Sequence, residues 1–160
     1  MNFYIFELRN MQPNRIFFHE AKVRSRLLHR NHLKRFLLSL FTKERIRIER
    51  VDVIFCTDEY LLGINVRFLH HNYYTDTLSF VLSNPKDPII GEIYISVDRI
   101  KSNAIEYGIS YQNELREVII HGCLHLCGYL DKPKKASIQM EDLQKSYLNE
   151  FANSFQLETE

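Results

Sequence analysis

Apolar positions along the chain fall into segments of different period. Between Glu20 and Phe41, residues Val23, Leu27, Leu28, Phe36, Leu37, Leu40 and Phe41 recur at three- and four-residue spacings, which predicts a helix over that span. From Ile46 to Phe55 the pattern changes to alternation, first Ile46 and Ile48, then Val51, Val53 and Phe55. The phase slips at Arg50, so a strand with a bulge or a short turn is expected there. Thr57 stands as an N-cap before a helix over Asp58–His70, with Leu61, Leu62, Ile64 and Phe68 as its apolar side. TLSFVL (Thr77–Leu82) and IIGEIYIS (Ile89–Ser96) are rich in β-branched and aromatic residues and read as strands joined by the turn sequence SNPKDP. Ser96 caps a further helix ending at Gly108. Ser110 caps the next, which runs toward Cys127 and buries Leu115, Val118, Ile119 and Leu126. A last helix covers Ser137–Phe155. The predicted class is α+β, a small mixed β-sheet packed with about five helices.

Composition narrows this picture without changing it. The 160 residues, 45% hydrophobic and 26% charged, suit a single domain over residues 1–160. No apolar run approaches the ~20 residues of a membrane span. The opening MNFYIFELRN lacks the order of a secretory signal, and three cysteines (Cys56, Cys123, Cys127) give no disulfide framework. A reducing, cytoplasmic location is expected. With 21 Lys+Arg against 20 Asp+Glu, attraction to nucleic acid requires a local patch. Ten of those cations fall within Lys22–Arg50, opposed there only by Glu44 and Glu49. Such a stretch fits either a phosphate-tracking face or the solvated side of an amphipathic helix.

Candidate chemistry is concentrated in EVIIHGCLHLCGYLDKPKK, Glu117–Lys135. His121 and His125 lie four apart on a predicted helix, about 40° from one another around its axis, so both imidazoles reach one metal ion. Cys123 and Cys127 fall about 200° away, on the side expected to pack. Gly128 suits the left-handed turn that ends a helix, and a chain doubling back there brings Asp131 to the same ion. Two imidazoles, a carboxylate and one open position form the ligand count of a catalytic zinc site on a central helix. A lone H-x-x-x-H also arises by chance. The glutamate that metzincin proteases carry after the first histidine is Gly122 here, which removes the general base of peptide hydrolysis.

HGCLHLCGYLD resembles the signature H-G-x-L-H-L-x-G-Y-D-H of the YbeY family of metal-dependent endoribonucleases. YTDTLSF (Tyr74–Phe80), GEIYIS (Gly91–Ser96) and Asn65 resemble further family motifs in the same order, over about residues 50–150. Two positions depart from the pattern. Asp131, preceded by Leu130, stands where the family carries its third histidine, and Leu69 stands where it carries an arginine, with Arg67 nearby. The resemblance implies one Zn2+ per chain held by His121, His125 and Asp131, with His121 and His125 catalytic. It further implies cleavage of single-stranded RNA in maturing the 3′ end of small-subunit rRNA and in ribosome quality control. Single-stranded RNA and the small ribosomal subunit are the implied partners. Lys132, Lys134 and Lys135 follow the third ligand and either meet a substrate phosphate or form an ordinary polar loop. Tyr73 and Tyr74 either stack bases or place one ring inside and one outside, the latter being favoured. Thr75 and Asp76 pin a loop near the metal or serve structure alone. Two other classes stay open: a non-catalytic, ribosome-associated metal-binding protein, and a zinc metalloprotease, which Gly122 disfavours.

Overall fold

A computed structural model describes residues 15–159, with side chains through residue 154. Four strands form one sheet in the order β1-β2-β4-β3: β1 (Ile16–Glu20), β2 (Ile48–Cys56), β3 (Thr77–Val81) and β4 (Ile89–Ser96). β1 and β4 run parallel to β2, whereas β3 pairs antiparallel with β4, as a short hairpin connection dictates. Alternation sends Val51, Val53 and Phe55 to the same face as Ile93 and Ile95, all fully buried. The register slips between Ile48 and Arg50, where the sequence lost phase.

Among the described residues, five helices pack with the sheet: α1 (Arg30–Lys43), α2 (Asp58–Leu69), α3 (Val97–Tyr107), α4 (Tyr111–Leu126) and α5 (Lys134–Thr159). This is the expected α+β class. Thr57, Ser96 and Ser110 each accept the backbone N–H three residues on, capping α2, α3 and α4. Leu33, Phe36, Leu37 and Phe41 of α1 join Leu115, Ile119, Ile120 and Leu124 of α4 and Met140, Tyr147 and Phe151 of α5 in one core. On the other face Tyr60 and Phe68 of α2 pack against Tyr94 and Phe80 at the β3–β4 end.

Three expectations need correction. Residues 20–29 are not helical: IFFHE pairs with β2 as a strand, and α1 begins at Arg30. Lys22, Arg26 and His29 all adopt positive φ, which a helix excludes. Backbone groups in that stretch instead bond to α4, with Tyr111 Oη donating to Ser25 O at 2.7 Å and Gln112 Nε2 to Arg26 O at 2.8 Å. Phe68 is 61% exposed, whereas Leu61 is buried as expected and is joined by the polar Asn65, whose Nδ2 donates to Tyr73 O at 2.9 Å. α5 starts earlier than predicted because the Pro133 carbonyl accepts from the N–H groups of Ala136 and Ser137.

Candidate metal centre

α4 lies directly on the sheet because Gly122 has no side chain. A Cβ there would stand 2.5 Å from Ile93 Cγ2, and Ser79 of β3 donates to the Gly122 carbonyl at 3.2 Å. This contact fixes the helix's rotation, with Cys123 buried beside Gly122 and the flanking histidines half-buried at the open side. The cysteines are packing residues, as expected. Burial raises both thiols, Cys127 to about 12, so neither supplies a thiolate at neutral pH.

The helix ends as its sequence requires. Gly128 takes φ 98°, Gly128 N–H bonds to His125 O and Tyr129 N–H to Leu124 O, the paired bonds of a glycine-closed C-terminus. The reversal brings Asp131 Oδ2 to 3.7 Å from His125 Nε2. His125 Nε2 and His121 Nε2 are 2.8 Å apart, and one ligand atom from each of the three residues lies within 4.8 Å of the others. A tetrahedral ion with Zn–N bonds near 2.0–2.1 Å spaces its ligand atoms by about 3.3 Å, so the observed separations bracket that value. This group could hold a metal ion.

The hydrogen bonds behind the rings test that fit. His125 Nδ1 faces the Tyr129 carbonyl at 2.9 Å, which can only accept, so the proton sits on Nδ1. Gln144 Nε2 donates to Glu117 Oε1 at 3.3 Å, which turns Gln144 Oε1 toward His121 Nδ1 at 2.7 Å. Both Nδ1 atoms therefore donate, and two Nε2 lone pairs point at one another. Such an arrangement repels itself without a cation between the lone pairs, whereas it is the usual tautomer of a metal-bound imidazole. Burial, then the neighbouring His121 ring, lowers the His125 pKa and favours the neutral form that can ligate.

A cleft of about 260 Å3 opens beside His121 and Asp131, bordered by Asp76, Glu114, Glu117 and Glu141. Asp76 is thus at the site, while its own carbonyl accepts from Ser96 N–H at 2.9 Å. Lys132, Lys134 and Lys135 are exposed in the connection to α5, and none of them lines the cleft. Leu69 is 39% exposed, and the Arg67 guanidinium lies 5.3 Å from the Phe68 ring, so neither brings a cation to the metal group. Tyr73 and Tyr74 are both about half-exposed, which corrects the expected in–out pair: one stacks on His71, the other lies under Arg99. Sequence reading missed Glu117, one turn before His121 and open to an i,i+4 argument, and Gln144, for which no local signal exists. It also missed Glu44, whose carboxylate accepts from Tyr129 Oη at 2.7 Å and from Tyr147 Oη. That contact ties the C-terminus of α1 to the residue whose carbonyl orients His125.

Comparison with known proteins finds relatives over most of the chain. A family model described as endoribonuclease YbeY matches residues 17–152. An endoribonuclease YbeY of Cytophaga hutchinsonii is 39% identical over 139 residues, covering 87% of this chain and 97% of its own. That of Karelsulcia muelleri is 38% identical over 117 residues, 73% of this chain and 82% of its own. The solution structure of TM1509 from Thermotoga maritima is similar with a TM-score of 0.63 and 31% identity, over 89% of this chain and 93% of that one.

Proposed function

The chain belongs to the endoribonuclease YbeY family, and from that premise we propose that it is a zinc-dependent, single-strand-specific endoribonuclease. It forms one metal-dependent hydrolase domain over residues 1–160, acts in the cytoplasm on the 3′ end of small-subunit rRNA, and serves ribosome quality control. The observation that carries this reading is the convergence of the two Nε2 atoms with the Asp131 carboxylate, with both Nδ1 protons held from behind.

His121, His125 and Asp131 would hold the ion, and their net charge of −1 leaves a bound Zn2+ with residual positive charge. When bound, such an ion supplies Lewis acidity at a phosphodiester and acidifies water beside it. The chain's own groups do the rest. Gln144 and the Tyr129 carbonyl fix ring orientation, and burial favours the neutral form of His125. Glu117 and Glu141, at the cleft wall, are placed to take a proton. Position 122 has no room for the glutamate of a metalloprotease. A non-catalytic, ribosome-associated role draws on one observation: among the described residues, no lysine or arginine lines the cleft to steady a phosphate.

The test is elemental analysis of the purified protein followed by incubation with unstructured RNA and with casein, each with and without chelator. About one zinc per chain and chelator-sensitive RNA cleavage are expected. Zinc without cleavage would favour the binding role, and casein digestion the protease.

A further inference from the structure

We propose that a second hollow, at the corner between α1 and β2, is an anchoring site for a nucleotide of a single-stranded RNA, with Arg15, Arg45 and Arg47 binding its phosphates. This inference rests on the RNA-cleaving reading above. The hollow measures about 770 Å3, and its floor is Leu38, Phe41 and Ile48, all buried, with Ile46 and Pro88 beside them. Among the described residues, three arginines border it and Glu49 is the one acidic residue lining it.

The structure sorts the basic run of the sequence into cations that are engaged and cations that are offered. Arg30 pairs with Glu20, Lys43 with Glu150 and Arg50 with Asp52, while Lys34 lies over Phe17 and Phe18. Arg45 and Arg47 instead reach the hollow. Arg15 and Arg47 each donate a single hydrogen bond to a backbone carbonyl, of Ile48 and of Lys86, which positions the fork and leaves its other N–H groups available. Among the described residues, the Arg45 guanidinium makes no hydrogen bond or ion pair. Arg45 also holds φ 58° just past the end of α1, where glycine is the least strained residue. The dipole of α1 accounts for a cation at its C-terminus but not for Arg15 or Arg47.

An apolar floor with a guanidinium rim has the chemistry of a base face and its flanking phosphates. A series of contacts links the hollow to the metal group. Arg45 follows Glu44, which holds Tyr129, whose carbonyl orients His125. A strand seated in the hollow is therefore held one relay of contacts from the reacting site.

The test uses the full chain and a fluorescent 2′-O-methyl uridine dodecamer, its integrity checked by gel. The Arg45→Ala/Arg47→Ala protein should bind at least tenfold more weakly in anisotropy titrations. The slope of log Kd against log salt should shallow by about 1.4, the value for two lost phosphate contacts on a single strand. Arg45→Lys/Arg47→Lys should keep the slope. If the double variant melts early, Arg45→Glu alone, at an exposed residue, should reproduce the loss. Unchanged affinity and slope in a folded variant overturn the proposal, as does an oligoglutamate peptide that needs these arginines when RNA does not. A wild type that binds the dodecamer through these arginines yet cleaves no RNA would sink the nuclease reading alone.

Discussion

Two hollows of opposite charge open on this molecule. Asp76, Glu114, Glu117, Asp131 and Glu141 border the cleft at the imidazoles, whereas Arg15, Arg45 and Arg47 border the groove at the α1–β2 corner. The net charge of +1 conceals both. Two unit charges 4 Å apart interact by about 4 kcal/mol at an effective dielectric near 20, so a phosphate entering the cleft unaided meets a prohibitive field. A divalent cation reverses that field where a phosphodiester has to sit. The groove needs no such help. On the proposed reading one hollow attracts an ion and the other the nucleic acid, so that their difference separates cofactor binding from substrate binding.

The largest expected effect comes from His121→Ala. Bound metal and RNA cleavage should both be lost, while dodecamer binding by the groove stays within about twofold. Elemental analysis and anisotropy on the same preparation read the two hollows independently. Full metal occupancy in this variant would refute the ligand set. Next is Gln144→Ala, which removes the acceptor behind His121 Nδ1. Metal affinity should fall about 10- to 100-fold, measured by competition with a chromophoric chelator, with no change in groove binding. Equal affinity would show that Gln144 only packs.

Tyr129→Phe probes the contact that links α1 to the metal group. It deletes the 2.7 Å hydrogen bond to Glu44 and leaves the carbonyl that orients His125. Stability should drop by about 1–2 kcal/mol in urea titrations, with only a few-fold loss of metal affinity. A loss as large as that of Gln144→Ala would mean that the phenol, not the carbonyl, governs the ring.

The metal group was legible in sequence because it is local. Two histidines one turn apart, a glycine at the turn and a carboxylate after it require only helix geometry, and the three side chains converge as that geometry demands. The caps Thr57, Ser96 and Ser110 were legible for the same reason. What escaped depends on contacts between distant segments. β1 carries few alternating residues and is a strand because β2 accepts it, and the residues before α1 leave the helical pattern because Tyr111 and Gln112 take their carbonyls. Gln144 and Glu44 reach the site from other helices. The basic run of residues 22–50 was visible as composition, but no periodicity shows that Arg45 and Arg47 share a concavity with Arg15.

Glu114→Gln should give the smallest effect, and it tests the acid side of the comparison. Glu114 is 3% exposed at the cleft and accepts from Asn103 Nδ2 at 3.1 Å. Burial, with Glu117 and Asp76 adding to it, raises its pKa above the ordinary 4.5 despite the Asn103 bond. A carboxyl whose pKa is raised on folding binds its proton more tightly in the native state, so its contribution to stability declines as pH rises from about 4.5 through the folded value. Above that window the charged form carries its full cost. Glutamine keeps an oxygen for Asn103 and carries no charge, so the variant should be more stable than wild type at pH 8 by a few tenths to about 1 kcal/mol. The difference should shrink toward zero by pH 4. Urea titrations of both proteins across pH 4–8, with chelator present throughout, measure it. A gap that stays constant with pH would mean that Glu114 is not the group carrying the cleft's electrostatic cost.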